Sequence, residues 1–184
     1  MNIQLRCVSP SDASDLLSIY APYVTDSAVS FELLLPSVED FAQRIVHYSQ
    51  RFPWIVAENE SGILGYAYAY AYRERKAYQW CVETSVYLAP EAKGKGIGKL
   101  LYDRLFEILI ELNITRAYAV ITLPNPASVQ FHAKMGFLSF ATYQKVGHKF
   151  NAWHDVHWME KELQSPQLPS DPIAFADWLK TASV

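Results

Sequence analysis

The chain has only two cysteines, Cys7 and Cys81, which fall in separate predicted strands without metal-ligand spacing and fit a reducing cytoplasm. It also has no dominant charge. Against 16 Lys and Arg stand 19 Asp and Glu, and a net charge of −3 provides no general attraction to nucleic acid. No apolar run approaches the ~20 residues that a bilayer-crossing helix requires. Nothing at the start of the chain resembles a signal peptide. The expectation is a soluble, cytoplasmic protein with no nucleic-acid partner and no membrane partner.

With 184 residues, 51% of them hydrophobic, the chain suits one globular domain with a substantial core. That domain is expected over residues 1–163. Residues 164–184 form a proline-containing tail with a short helix candidate at 173–180.

The pattern of elements is mixed α/β. Ile3, Leu5 and Cys7 alternate in a first strand over 2–8, and Ser11 precedes a helical run with Leu16, Leu17, Ile19 and Tyr20. Ser37 and Asp40 resemble a capping box opening a second helix. Residues 54–57 and 63–72 read as strands joined by a turn at Asn59-Glu60-Ser61-Gly62. Tyr66, Tyr68, Tyr70 and Tyr72 alternate with alanines, so the rings share one face. They pack against a helix or, alternatively, form an amine-binding aromatic surface. A strand over 78–88 stops at Pro90. A helix with Leu100, Leu101, Leu105, Ile108, Leu109 and Leu112 follows the next loop, then a strand over 116–122, a helix over 128–135 ended by Gly136, and strands over 137–146 and 154–163.

The loop before that central helix is the most informative stretch. Gly94, Gly96 and Gly98 alternate between a strand and a helix, a turn whose backbone N–H groups and positive helix end suit a phosphate. Lys93, Lys95 and Lys99 add charge around it. The dinucleotide fingerprint and the P-loop both fail on spacing. The chemistry implied is a phosphorylated cofactor.

Lys93-Gly94-Lys95-Gly96-Ile97-Gly98 resembles the acetyl-CoA loop of the GNAT (Gcn5-related N-acetyltransferase) superfamily, with Lys93 where Arg or Gln is usual. Leu123-Pro124-Asn125 with Ser128, Phe131-His132 and Gly136-Phe137 is similar to the segment completing that cofactor site. The segments Ala77-Tyr78 with Trp80, Val82 to Tyr87, and Val146-Gly147-x-Lys149-Phe150-x-x-Trp153-x-Asp155 narrow the resemblance to the phosphinothricin and methionine sulfoximine acetyltransferases. It covers roughly 1–163. It implies a GNAT fold with a largely antiparallel central sheet flanked by helices, and acetyl-CoA held by Val86, Tyr87, Leu88, residues Lys93 to Lys99, Asn125 and Ser128. It implies no metal and commonly a homodimer, with contacts near residues 147–153.

A protonated amine must lose a proton before attacking a thioester, so a base is required. Glu83 is the acid of the 78–88 strand, on the face of Cys81, Ser85 and Tyr87. It is either that base, acting directly or through water, or an edge glutamate paired with Arg73 or Arg75. His132 either protonates the departing thiolate, as the resemblance implies, or packs beside Phe131. A backbone N–H of residues 86–88 is the expected donor to the thioester carbonyl oxygen. Arg73 and Arg75 either pair with an acceptor carboxylate or phosphinate or are solvated loop charges, and the resemblance implies Phe31, Glu32, Tyr78 and Thr84 as pocket walls. His154 and His157 point to opposite strand faces, against a metal site. The expected activity is acetyl transfer from acetyl-CoA to the α-amino group of a small amino-acid-like acceptor. Acetylation of peptide amines and a non-catalytic CoA-binding sensor are the rival readings.

Overall fold

A computed structural model of the chain describes residues 2–182, so the first residue of the expected domain and the last two of the tail lie outside the description. Seven strands form one sheet: β1 (Gln4–Cys7), β2 (Trp54–Asn59), β3 (Gly62–Ala71), β4 (Cys81–Leu88), β5 (Arg116–Thr122), β6 (Leu138–Lys149) and β7 (Ala152–Glu162). Their order is β1-β2-β3-β4-β5-β7-β6, and the β4–β5 pair is parallel while the other neighbours are antiparallel. This is the mixed α/β architecture expected from the element pattern, with the largely antiparallel sheet that the resemblance implies.

The helices are α1 (Ala13–Thr25), α2 (Val38–Ser49), α3 (Ile97–Glu111), α4 (Pro126–Lys134) and α5 (Phe175–Thr181). Ser37 caps α2, accepting a 3.0 Å bond from the Asp40 N–H and returning its hydroxyl proton to the Asp40 carboxylate at 2.7 Å. The alternation in β3 decides the layering. Tyr66, Tyr68 and Tyr70 face the α1–α2 side, where Tyr48 of α2 stacks on Tyr68 and Tyr70 at 6.1 and 5.8 Å. Ala67 and Ala69, both fully buried, lie on the other face, where α3 packs with Leu101, Leu105, Ile108 and Leu109. Leu100, counted with that apolar stripe, is instead 41% exposed, because it follows the first helical turn on the outer side.

Several boundaries differ from the sequence-based expectation. The strand expected from residue 78 begins at Cys81, because Lys76–Tyr78 make a single 3₁₀ turn. The helix expected at 128–135 spans Pro126–Lys134, with Asn125 as its cap. The β6–β7 hairpin runs three residues deeper than expected on β6, closing through Phe150 and Asn151, which have φ of 51° and 56°. Two successive positive φ values match the twist of a hairpin, but this pair lacks the Asn-Gly or Asp-Gly signature.

The segment after residue 163 packs on the domain. Phe175 is buried in the main core, the Trp178 indole donates to Glu111 at 2.8 Å, and the Trp80 indole donates to Ser170 O at 2.8 Å.

Candidate active site

Strands β4 and β5 pair only through Cys81–Arg116, Val82–Ala117 and Glu83–Tyr118. Beyond Glu83 the two diverge, while β4 stays bonded to β3 and β5 to β7. The sheet therefore opens as a wedge in its middle. Trp80 O accepts N–H bonds from Thr115 and Arg116, and Ala89 N–H turns the other way to Leu64 O. Strand alternation then directs the Val86 N–H into the wedge and the Tyr87 N–H toward β3. The Leu88 N–H, also on the open edge, meets the Tyr23 hydroxyl at 3.4 Å. Of the three expected backbone donors, Val86 is the one left facing open space.

Two cavities meet at this wedge. One is lined by Thr84, Val86, Tyr102, Ile121, Asn125, Ser128 and His132, among others. The second, of about 520 Å³, is lined on the tyrosine face by Phe31, Glu32, Arg44, Tyr68, Tyr70 and Glu83. Val29, Ser85, Tyr87, Val120 and Thr122 belong to both walls. Two molecules entering from opposite sides of the sheet would touch there.

Glu83 lies opposite Tyr70 across β3–β4, and the Tyr70 hydroxyl donates to Glu83 Oε2 at 2.9 Å. Arg73 Nη1 is 3.8 Å from Glu83 Oε1. Burial pushes the Glu83 carboxyl above the usual glutamate value, and the Tyr70 bond and the Arg73 charge pull against that shift. The tyrosine stripe packs on α2, and Tyr68 and Tyr70 also line the cavity that holds Glu83.

On the other face, His132 is buried beneath α3. Its Nδ1 donates to Ser128 O at 2.8 Å, which leaves Nε2 to accept from the Tyr102 hydroxyl at 3.0 Å. Desolvation lowers the His132 pKa, so the ring is neutral near pH 7. Its Nε2 lone pair accepts the Tyr102 hydroxyl proton, and burial raises the pKa of that phenol. Tyr102 is fully buried and was not singled out from the sequence, where it reads as one more aromatic of the α3 stripe. Thr84, grouped with the acceptor walls from sequence, lies on this face as well. It is 3.4 Å from Tyr102 Oη because its strand parity is opposite to that of Glu83.

The glycine loop opens α3 as expected. Gly94 and Gly96 have φ of +74° and +81°, with open space where a Cβ would sit, and Gly96 caps α3 without a side-chain bond. The N–H groups of Ile97, Gly98 and Lys99 lie in the first turn, where a helix has no acceptors of its own. This cradle fits a pyrophosphate. Gly98 does different work: a Cβ there would sit 3.2 Å from the Phe131 ring, so its absence lets α3 close on α4. Lys93 lies over the Tyr23 ring at 5.0 Å, and Lys99 pairs with Asp103, leaving Lys95 exposed beside the loop. Asn125 spends its side-chain oxygen capping α4, accepting from Ser128 N–H at 3.1 Å, and lines the cavity with the remainder of its amide.

Arg73, Arg75 and Tyr78 are exposed on the β3–β4 connection and do not line the cavity that holds Glu83. Tyr78 packs edge-on against Tyr72 at 5.9 Å. Phe31 and Glu32 do line the cavity. Their loop is held by Lys149, whose buried ammonium donates to Val24 O and Ser30 O at 2.6 and 2.7 Å. His154 and His157 bond to separate partners, Lys149 O and the hydroxyls of Thr142 and Ser139, and among the described residues no cluster of ligating side chains could hold a metal ion.

Comparison with known proteins gives the family and the fold. The family model for the acetyltransferase (GNAT) domain matches residues 5–158. A phosphinothricin N-acetyltransferase of Streptomyces coelicolor is 38% identical, over 88% of this chain and 96% of that protein. An L-methionine sulfoximine/L-methionine sulfone acetyltransferase of Salmonella typhimurium is 28% identical, over 90% of this chain and 97% of that protein. Among solved structures, a GNAT superfamily phosphinothricin acetyltransferase from Sinorhizobium meliloti, in complex with acetyl-CoA, superposes with a TM-score of 0.86 at 34% identity, covering 94% of both chains.

Proposed function

The chain belongs to the GNAT family of acetyl-CoA-dependent N-acetyltransferases, and on that premise we propose that it acetylates the α-amino group of a small amino-acid-like acceptor, by direct attack with Glu83 as general base. The observation that carries this reading is the junction of the two cavities at Ser85, Tyr87, Val120 and Thr122, with Glu83 on one side and Tyr102 and His132 on the other. A ternary complex is needed for direct attack, and the junction provides its meeting point.

When bound, acetyl-CoA supplies a thioester whose C–S bond breaks as the acceptor's C–N bond forms. Gly94 to Lys99 would hold its pyrophosphate through backbone N–H groups, with Lys95 contributing charge. The Val86 N–H hydrogen-bonds the carbonyl oxygen as charge builds there. Glu83 removes the ammonium proton, directly or through one water. Its raised pKa brings it nearer to that of an amine than an ordinary glutamate would be. Tyr102 Oη–H turns from His132 toward the leaving sulfur. His132 orients that hydroxyl and does not donate a proton itself. Two protons leave the nitrogen, the ammonium proton to Glu83 and a second as the amide forms; Tyr102 gives one to the thiolate and is reprotonated from solvent, so one proton is released net per turnover.

The same reading places the protein in the cytoplasm and makes it a homodimer. No helix among the described residues is long and apolar enough to cross a membrane. Val146, Phe150 and Trp153, on the hairpin beside the Phe31 wall, are each more than half exposed and supply an apolar face for a second copy. Light scattering on the purified chain tests the dimer, which a monomer mass at micromolar concentration would contradict.

The activity is tested by CoA release with phosphinothricin, methionine sulfoximine, methionine sulfone and short peptides. Turnover of the free amino acids is expected. Turnover of peptides alone would select the peptide reading, and acetyl-CoA binding without any turnover would select the sensor.

A further inference from the structure

Among the described residues lining the acceptor cavity, Arg44 is the single cation. It projects from α2, where its guanidinium lies 5.4 Å over the Phe41 ring and its Nη1 meets Glu32 Oε1 at 2.7 Å. Nothing in the sequence pattern marks it, because one arginine on an amphipathic helix reads as part of the solvated face.

We propose that Arg44 recognises a second anionic group on the acceptor, one carried by the side chain, so that the cavity selects amino acids with an acidic phosphinate or carboxylate end over neutral isosteres. The inference rests on the reading of the site as an amino-acid acetyltransferase. The charged groups lining the cavity are Glu83, Glu32 and Arg44. The acceptor's α-ammonium pairs with Glu83 and its α-carboxylate with Arg73, 3.8 Å from Glu83. Arg44, engaged by Glu32 through Nη1, is then the cavity's cation for an acidic end-group.

The geometry permits this exchange. A guanidinium presents five N–H donors in a planar fork, and the ion pair with Glu32 occupies one edge of it. The two side chains are 27% and 32% exposed, so the pair is partly solvated and weak. An incoming phosphinate or carboxylate can take the remaining donors, or displace Glu32, in a bidentate arrangement that a neutral sulfone oxygen cannot match in strength. Phe41 beneath the fork keeps the guanidinium plane fixed. Glu32 acts in this scheme as an internal anion that holds Arg44 in place and competes with the acceptor for it.

The test compares KM for phosphinothricin and for methionine sulfone in the unsubstituted protein, Arg44→Met, Arg44→Lys and Glu32→Gln. Arg44→Met is expected to raise the phosphinothricin KM by about 10-fold or more, as for loss of a charge-assisted hydrogen bond. The methionine sulfone KM should stay within about twofold, and kcat should change little for either. Arg44→Lys should fall between, keeping the charge without the fork, and Glu32→Gln should lower the phosphinothricin KM. Equal changes for both acceptors in Arg44→Met and Arg44→Lys would overturn the inference, since a purely structural role cannot tell them apart. Turnover of neither acceptor by the unsubstituted protein is seen before any variant is compared, and it would overturn the reading of the acceptor on which this inference stands.

Discussion

Tyr70 and Glu83 face each other across strands β3 and β4, and the phenol donates a 2.9 Å hydrogen bond to the carboxylate that stands at the acceptor side of the open wedge. The bond favours the ionised form and opposes the upward push of burial. Tyr70→Phe should therefore raise the Glu83 pKa further. As the proposed base Glu83 works only when ionised, so kcat/KM should increase with pH through that pKa, and the acid limb should move to higher pH by about one unit. A pH–rate profile of the variant checks this. An acid limb that stays in place would detach Glu83 from the limb.

On the thioester side, the proposed mechanism has Tyr102 as the proton donor, with His132 accepting from its hydroxyl in the resting site. Tyr102→Phe should lower kcat by about 10- to 100-fold while leaving acetyl-CoA affinity near its original value. His132→Gln, which can still accept from Tyr102, should cost less than Tyr102→Phe. Steady-state kinetics with binding measured by calorimetry separate the two, and a larger loss in His132→Gln would return the donor role to the histidine.

The same buried histidine makes stability depend on pH. Its folded pKa is lowered by desolvation, so the unfolded chain binds the proton more readily. Stability should be full above the unfolded value near 6.5 and decline as pH falls through it toward the folded pKa. Thermal unfolding between pH 7.5 and 5 should show a shallower decline in His132→Gln than in the unsubstituted chain.

Gly96, at φ +81°, caps the central helix in the left-handed region. An L-residue there costs roughly 1–2 kcal/mol, and a methyl group would also intrude on the space kept open for phosphate. Gly96→Ala should weaken acetyl-CoA binding by about 10-fold in a calorimetric titration, with the acceptor KM much less affected.

Lys149 ties the acceptor loop to the β6–β7 hairpin through Val24 O and Ser30 O, and Gly147 on the same hairpin leaves no room for a Cβ against Phe31. Lys149→Met strands two carbonyls, at roughly 1–3 kcal/mol each. The acceptor KM should rise several-fold with acetyl-CoA affinity unchanged, and the melting temperature should fall. Loss of acetyl-CoA binding to the same degree would mean that the hairpin supports the whole domain and not the acceptor wall.

The features legible in the sequence are local ones. The strand, glycine loop and helix around Gly94 to Gly98 are set by φ requirements of neighbouring residues, and the parity of β4 puts Glu83, Ser85 and Tyr87 on one face before any fold is known. The Phe150–Asn151 turn escaped because its positive φ values are borne by residues without a turn signature. The 3₁₀ turn at Lys76–Tyr78, which shortens β4 and leaves Tyr78 outside the acceptor cavity, is likewise unmarked.

By itself, then, the sequence determined the elements, the glycine loop and the face on which Glu83 lies, since each depends on residues a few positions apart. The tertiary structure decided where the sheet opens and which groups gather there. Tyr102 meets His132 from 30 positions away, and Lys149 reaches Ser30 from 119. Arg44 becomes a cavity wall only because α2 packs on the tyrosine face, a placement that comes from burying Phe41 and Ile45, with Tyr48 stacked on Tyr68 and Tyr70.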